Sequence, residues 1–142
     1  MPRSADDDAR RRFSAAPVAR FATADPDATP HLVAVVFAVV GNTIFTAVDG
    51  KPKTTQRLRR LVNIEHNPAV SMLVDHYDAD WSRLWWVRAD GTASVHTDGA
   101  RAAEGRAALC SKYPQYQSVS LDGPVIVVEV GRWSSWQSGP VT

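Results

Sequence analysis

The chain has 142 residues, 44% of them hydrophobic, a formal net charge of +1 and a single cysteine, Cys110. One domain spanning residues 1–142, with a real core, is expected; the near-neutral charge argues against a nucleic-acid protein, and one cysteine excludes an internal disulfide. Asp6, Asp7 and Asp8 follow the start with no apolar signal segment, and no apolar run reaches membrane-span length, so a cytoplasmic, non-membrane setting is expected.

Residues 5–15 read as a helix, because Asp6, Asp7 and Asp8 lead and Arg10, Arg11 and Arg12 trail, complementing the helix dipole. Pro17 ends it. A strand over 18–23 leads into the turn residues Asp25, Pro26 and Asp27, a hairpin signal. Residues 32–40 are apolar on both faces and predict a central strand covered on both sides. Gly41 and Asn42 turn the chain, and 43–48 return as a strand. A helix is predicted over 54–66, capped by Thr54 or Thr55 and stopped at Asn67-Pro68, with Leu58, Leu61, Val62 and Glu65 on one face. A strand follows over 69–75, then a polar loop over 76–80. Residues 83–88 and 91–97 are strand-like, with a break or bulge near Asp90-Gly91. The last elements are a helix over 100–112, an irregular stretch to 121, and a buried strand over 125–130 with a tail carrying Trp133 and Trp136. Short hairpins without regular strand–helix alternation predict a mainly β fold. Its antiparallel sheet closes as a small barrel with helices at its openings.

The sequence has no metal-ligand spacing of His and Cys, no nucleophile elbow, and neither a dinucleotide nor a phosphate-loop fingerprint. A catalytic role therefore requires a bound cofactor to carry the chemistry. Lys51 and Lys53 occupy one turn, in a chain whose only other lysine is Lys112. With Thr54 and Thr55 at a predicted helix start, the turn offers ammonium, hydroxyl and backbone N–H donors to a phosphate. A solvated turn with ordinary helix capping is the competing reading. Arg57 and Arg60, a turn further on, either reach a longer acidic tail or are solvated helix charges. Trp85 and Trp86 are adjacent on a strand and face opposite ways, so one belongs to the core and the other to a groove or interface. Trp81 in a polar loop, with Trp133 and Trp136, either packs over a barrel end or walls a flat aromatic ligand. His31 opens a strand after Pro30, as a surface residue or a ligand contact.

Five segments, in order, resemble the pyridoxamine-phosphate-oxidase-like FMN-binding split β-barrel superfamily. They are Val18-Ala-Arg-Phe-Ala-Thr23, Pro30-His-Leu-Val-Ala-Val-Val36, Lys53-Thr54 leading into a helix, Asn67-Pro-Ala-Val-Ser-Met-Leu-Val-Asp75, and Gly91-Thr-Ala93. Within it the chain looks like the deazaflavin (coenzyme F420)-dependent reductases of actinobacteria. The resemblance implies a homodimer with cofactor grooves between the chains, and a hydride transfer between reduced deazaflavin and a small unsaturated or quinone-like acceptor. It places the cofactor phosphate at Lys51, Lys53, Thr54 and Thr55, the ring system beside His31, Val33 and Ala34, and Thr46 on the groove wall. Arg57 would meet the tail carboxylates, and Trp81 and Trp136 would add aromatic walls. The stretch Val33-Ala34-Val35-Val36 departs from relatives that offer polar side chains there, which leaves ring contacts to the backbone. The superfamily also holds FMN-dependent oxidases and proteins that bind flavin or haem without turnover, so FMN and haem are the alternative ligands.

Overall fold

The computed structural model describes residues 5–48 and 58–139. These form α1 (Ala5–Ala15), β1 (Ala19–Ala24), β2 (Pro30–Val35), β3 (Ala38–Val40), β4 (Thr43–Ala47), α2 (Arg59–His66), β5 (Ala69–His76), β6 (Trp85–His96), α3 (Gly99–Lys112) and β7 (Val125–Gln137). Among the described residues the seven strands make one antiparallel sheet in the order β2-β1-β5-β6-β7-β4-β3, curled as a half-barrel with three helices against it. The expected split barrel is the fold observed.

Local chemistry explains most elements. In α1, Arg10 pairs with Asp7 at 3.1 Å, one turn apart. Ala9 and Phe13 are spaced to share a face and are buried; the Phe13 ring centroid lies 4.9 Å from that of Phe37 and 5.4 Å from that of Trp133. The β1–β2 hairpin is closed by Asp25, whose Oδ1 accepts from the amides of Asp27 and Thr29, both at 2.9 Å. β6 is one strand with an irregularity at Asp90/Gly91, the expected bulge position. A Cβ on Gly91 would lie 2.4 Å from the Glu129 carbonyl oxygen, so only glycine lets β7 approach there.

The strand predicted over 32–40 is corrected. It breaks at Val36-Phe37 into β2 and β3, which lie at opposite edges of the sheet, and Leu32 is 66% exposed. Two-sided burial falls instead on β4 and the start of β7. There Ile44, Ile126 and Val128 enter the barrel interior, while Phe45, Val125 and Val127 pack under α3 with Leu109 and Tyr113. The break is held by the last residues of α3. The Tyr113 hydroxyl accepts the Phe37 amide at 3.1 Å and shares its proton between the carbonyls of Phe37 and Pro17, both at 2.9 Å. Beside it, the Lys112 ammonium donates to the Ala16 carbonyl at 2.7 Å and sits 3.8 Å from the Phe37 ring centroid. Desolvation lowers Lys112 to about 8 and raises Tyr113 from its ordinary value.

The helix predicted over 54–66 is also corrected. It begins at Arg59, because Leu58 is extended (φ −63°, ψ 142°) and takes the capping position with no side-chain hydrogen bond. Its buried face is Leu61, Asn63 and Ile64, while Leu58 and Glu65 are exposed. A helix this short is set by packing rather than by intrinsic propensity, and packing starts at Leu61.

Candidate cofactor site

One group of polar residues is built where β1, β2 and α2 meet. Thr23 and His31 are directly opposite across the β1–β2 ladder, on the face that Phe21 and Val35 turn to the core. Asn63 donates from Nδ2 to the Thr23 hydroxyl at 3.0 Å, and both residues are almost wholly buried, at 1% and 4% exposure. His31 is half-buried, and its Nδ1 is buried without a hydrogen-bond partner. Among the described residues, β2 pairs only with β1. Its other edge presents backbone N–H and C=O groups outside the ladder. That edge can read the polar rim of a flat ring even though Val33, Ala34 and Val35 carry no polar side chains.

Val33 is half-buried toward the interior and Ala34 is exposed on the opposite face, so the two cannot line one surface through their side chains. Thr46 shares the interior face of β4 with Ile44 and is 1% exposed. Lys51, Lys53, Thr54, Thr55 and Arg57 lie outside the described residues. The free N–H groups of α2 belong to the turn starting at Arg59.

The aromatic residues assemble elsewhere. Trp85 stacks on His76 (centroids 6.1 Å, planes 19° apart), and the Arg12 guanidinium covers Trp85 at 4.8 Å while donating to Gln137 at 3.0 Å. Trp86 lies opposite Trp136 across the β6–β7 ladder, with Arg88 5.7 Å from its ring centroid. Trp133 belongs to the fold: it packs on Phe13 and donates from Nε1 to Asn42 at 3.0 Å. Trp81 opens a short 3-10 turn and is 74% exposed; Tyr77 beside it is 77% exposed. Asp80 caps that turn. Its carboxyl accepts the Ser82 hydroxyl at 2.6 Å and the Ser82 amide at 3.0 Å, which hold it below the usual carboxylate value. A groove of about 600 Å³ runs between α1 and this end of the sheet, past Arg11, Arg12, Val87 and Trp136.

His31 and these tryptophans are far apart. Ala22 pairs with Ser71, which sets Thr23 and His31 level with Val70, whereas Trp85 pairs with His76. Six strand residues separate the two levels, about 20 Å at roughly 3.3 Å per residue. Within one chain, His31 and Thr46 therefore do not share a ring-sized site with Trp81 and Trp136. Sequence reasoning missed Thr23 and Asn63. The available signal was an asparagine inside the apolar stripe of a helix, between Leu61 and Ile64.

The model of the pyridoxamine 5'-phosphate oxidase family matches residues 5–137. The chain belongs to this family. No curated protein matches. Solved structures agree on the fold. A conserved hypothetical protein from Mycobacterium tuberculosis superposes with a TM-score of 0.74 at 21% identity, over 97% of this chain and 87% of that one. A heme binding protein from Mycobacterium smegmatis gives 0.73 at 20% identity, over 97% of this chain; this chain spans 60% of that protein. An FAD-binding protein from Mesorhizobium loti gives 0.72 at 18% identity, over 94% of each chain. Among the described residues no helix is long and apolar enough to cross a membrane, and no group of three or more His, Cys, Asp or Glu could hold a metal ion.

Proposed function

We propose that this protein is an F420-dependent oxidoreductase that works as a homodimer, with the cofactor ring along the open edge of β2. The observation that carries this reading is His31, whose buried, unpartnered Nδ1 lies across the ladder from the Thr23–Asn63 pair, on a strand that among the described residues has one unpaired backbone edge. With Nδ1 closed off by burial and the Thr23–Asn63 pair satisfied, the other nitrogen of His31 is the polar group of this cluster left to meet a ligand. Lys51, Lys53, Thr54 and Thr55 hold the phosphate, and Arg57 meets the carboxylates of the tail. The separation of His31 from Trp81 and Trp136 gives the second chain its part: its tryptophans supply the aromatic wall that one chain cannot bring to its own His31. When bound, reduced deazaflavin supplies the hydride. The chain's contribution is to orient the ring, exclude water and position a small unsaturated or quinone-like acceptor.

A second reading, a haem- or flavin-binding protein without turnover, is favoured by the heme binding and FAD-binding proteins that share the fold. Purified protein titrated separately with F420, FMN, FAD and haem separates the two. The expected result is tightest binding of F420, followed by reoxidation of the reduced complex by quinones or unsaturated ketones. Tight binding with no turnover on a broad acceptor panel would favour the carrier, and preference for haem would overturn the reductase reading.

A further inference from the structure

We propose that His31 is held as the Nε2–H tautomer and presents that N–H to an acceptor on the rim of a heterocyclic ligand, and that it does not serve as an axial ligand to iron. The ligand half of this proposal rests on the cofactor reading above.

A neutral imidazole carries its proton on one nitrogen and a lone pair on the other. In His31 the two nitrogens have different surroundings. Nδ1 is buried with no partner, while the ring as a whole is only half-buried, which leaves Nε2 as the accessible nitrogen. A proton on Nδ1 would be a buried N–H with nothing to accept it, and such groups are rarer in folded proteins than acceptors left short of a donor. The proton of His31 therefore sits on Nε2, at the open side of the ring.

This placement selects the ligand chemistry. Coordination to iron through Nε2 needs the lone pair there, which would drive the proton to Nδ1. Metal-bound histidines normally donate that second N–H to a carboxylate, a carbonyl or water, and Nδ1 of His31 has none of these. Coordination through Nδ1 is blocked by its burial. An acceptor in the plane of a ring, such as a carbonyl oxygen or an unprotonated ring nitrogen, requires nothing of Nδ1 and takes the N–H as it stands.

The test has two arms. Long-range proton–nitrogen NMR on uniformly labelled protein, with His31→Ala identifying the signals, reads the tautomer without any ligand. We expect an unprotonated Nδ1 and a protonated Nε2; the reverse pattern would overturn the proposal. Affinities for F420, FMN and haem are then measured for the native protein, His31→Gln and His31→Ala. Glutamine keeps a side-chain N–H, so His31→Gln should stay within about threefold of native for the preferred flavin-type ligand, while His31→Ala weakens it about tenfold. A histidine-ligated haem spectrum that disappears in His31→Ala would overturn the proposal. The expected tautomer with no binding of F420 or FMN would instead overturn the cofactor reading, and with it the ligand assigned here. Tight F420 binding with the proton on Nδ1 would overturn this inference alone.

Discussion

The Tyr113 hydroxyl lies 3.1 Å from the amide nitrogen of Phe37 and 2.9 Å from its carbonyl oxygen, so one side chain at the end of α3 satisfies both backbone groups of a residue where the sheet turns its corner. Phe37 is fully buried, and water cannot easily replace that hydroxyl. Tyr113→Phe keeps the ring and leaves the amide unpaired. It should destabilise the fold by about 1–3 kcal/mol in urea unfolding. An unchanged midpoint would show that the amide finds another partner.

Lys112 gives the corner a pH dependence. Its folded value is lowered to about 8 from an ordinary 10.5. Between those values the unfolded chain holds more protons than the folded one, so this residue makes stability rise with pH. Below about pH 8 both states are protonated, and the burial cost is constant. Tyr113, shifted upward, acts in the opposite sense once the unfolded chain begins to lose its phenolic proton, so the Lys112 effect is best read below that range. Comparing unfolding at about pH 7 and about pH 9.5, the native protein should gain stability relative to Lys112→Met. Parallel curves for the two proteins would rule out a Lys112 contribution.

The Thr23–Asn63 bond should behave as a coupled pair. Asn63→Leu leaves the buried Thr23 hydroxyl without its donor, and Thr23→Val leaves the Asn63 amide without its acceptor. Each change alone should cost about 1–3 kcal/mol. The double variant should cost less than the sum, because it removes both polar groups together. Additive losses in a double-mutant cycle would mean that the two side chains do not depend on each other.

Lys53→Ala should weaken F420 binding by about tenfold to a hundredfold, the loss expected for one charge-assisted contact to a phosphate. Fluorescence titration of the cofactor measures it. Equal affinities would make the turn an ordinary solvated one.

What could be read in advance was what local chemistry decides. The acid-to-base gradient of α1 gave its bounds, Ala5–Ala15, and Asp90-Gly91 marked the irregularity in β6. What could not be read was position within the sheet. Leu32 and Val40 look like core residues in a row of apolar neighbours, yet they are 66% and 45% exposed, because edge or centre is settled by pairings far away in sequence. The same limit hid the polar cluster. Asn63 is an unremarked helix residue until Thr23, 40 positions away, is brought against it. His31 was legible as a residue opening a strand, but the isolation of its Nδ1 follows only from the packing around it.

The strands at the two rims of the sheet, β2 and β3, are separated in sequence by only Val36 and Phe37. Among the described residues, none of the six strand pairings joins them. The curl is thus fastened by a covalent stitch and by the Tyr113 hydroxyl, which bridges Phe37 to Pro17 ahead of β1, and not by a ladder of hydrogen bonds. A chain cut at that stitch, by permutation or by a protease, would leave every ladder intact and rest the closure of the curl on the Tyr113 hydroxyl and the packing around it.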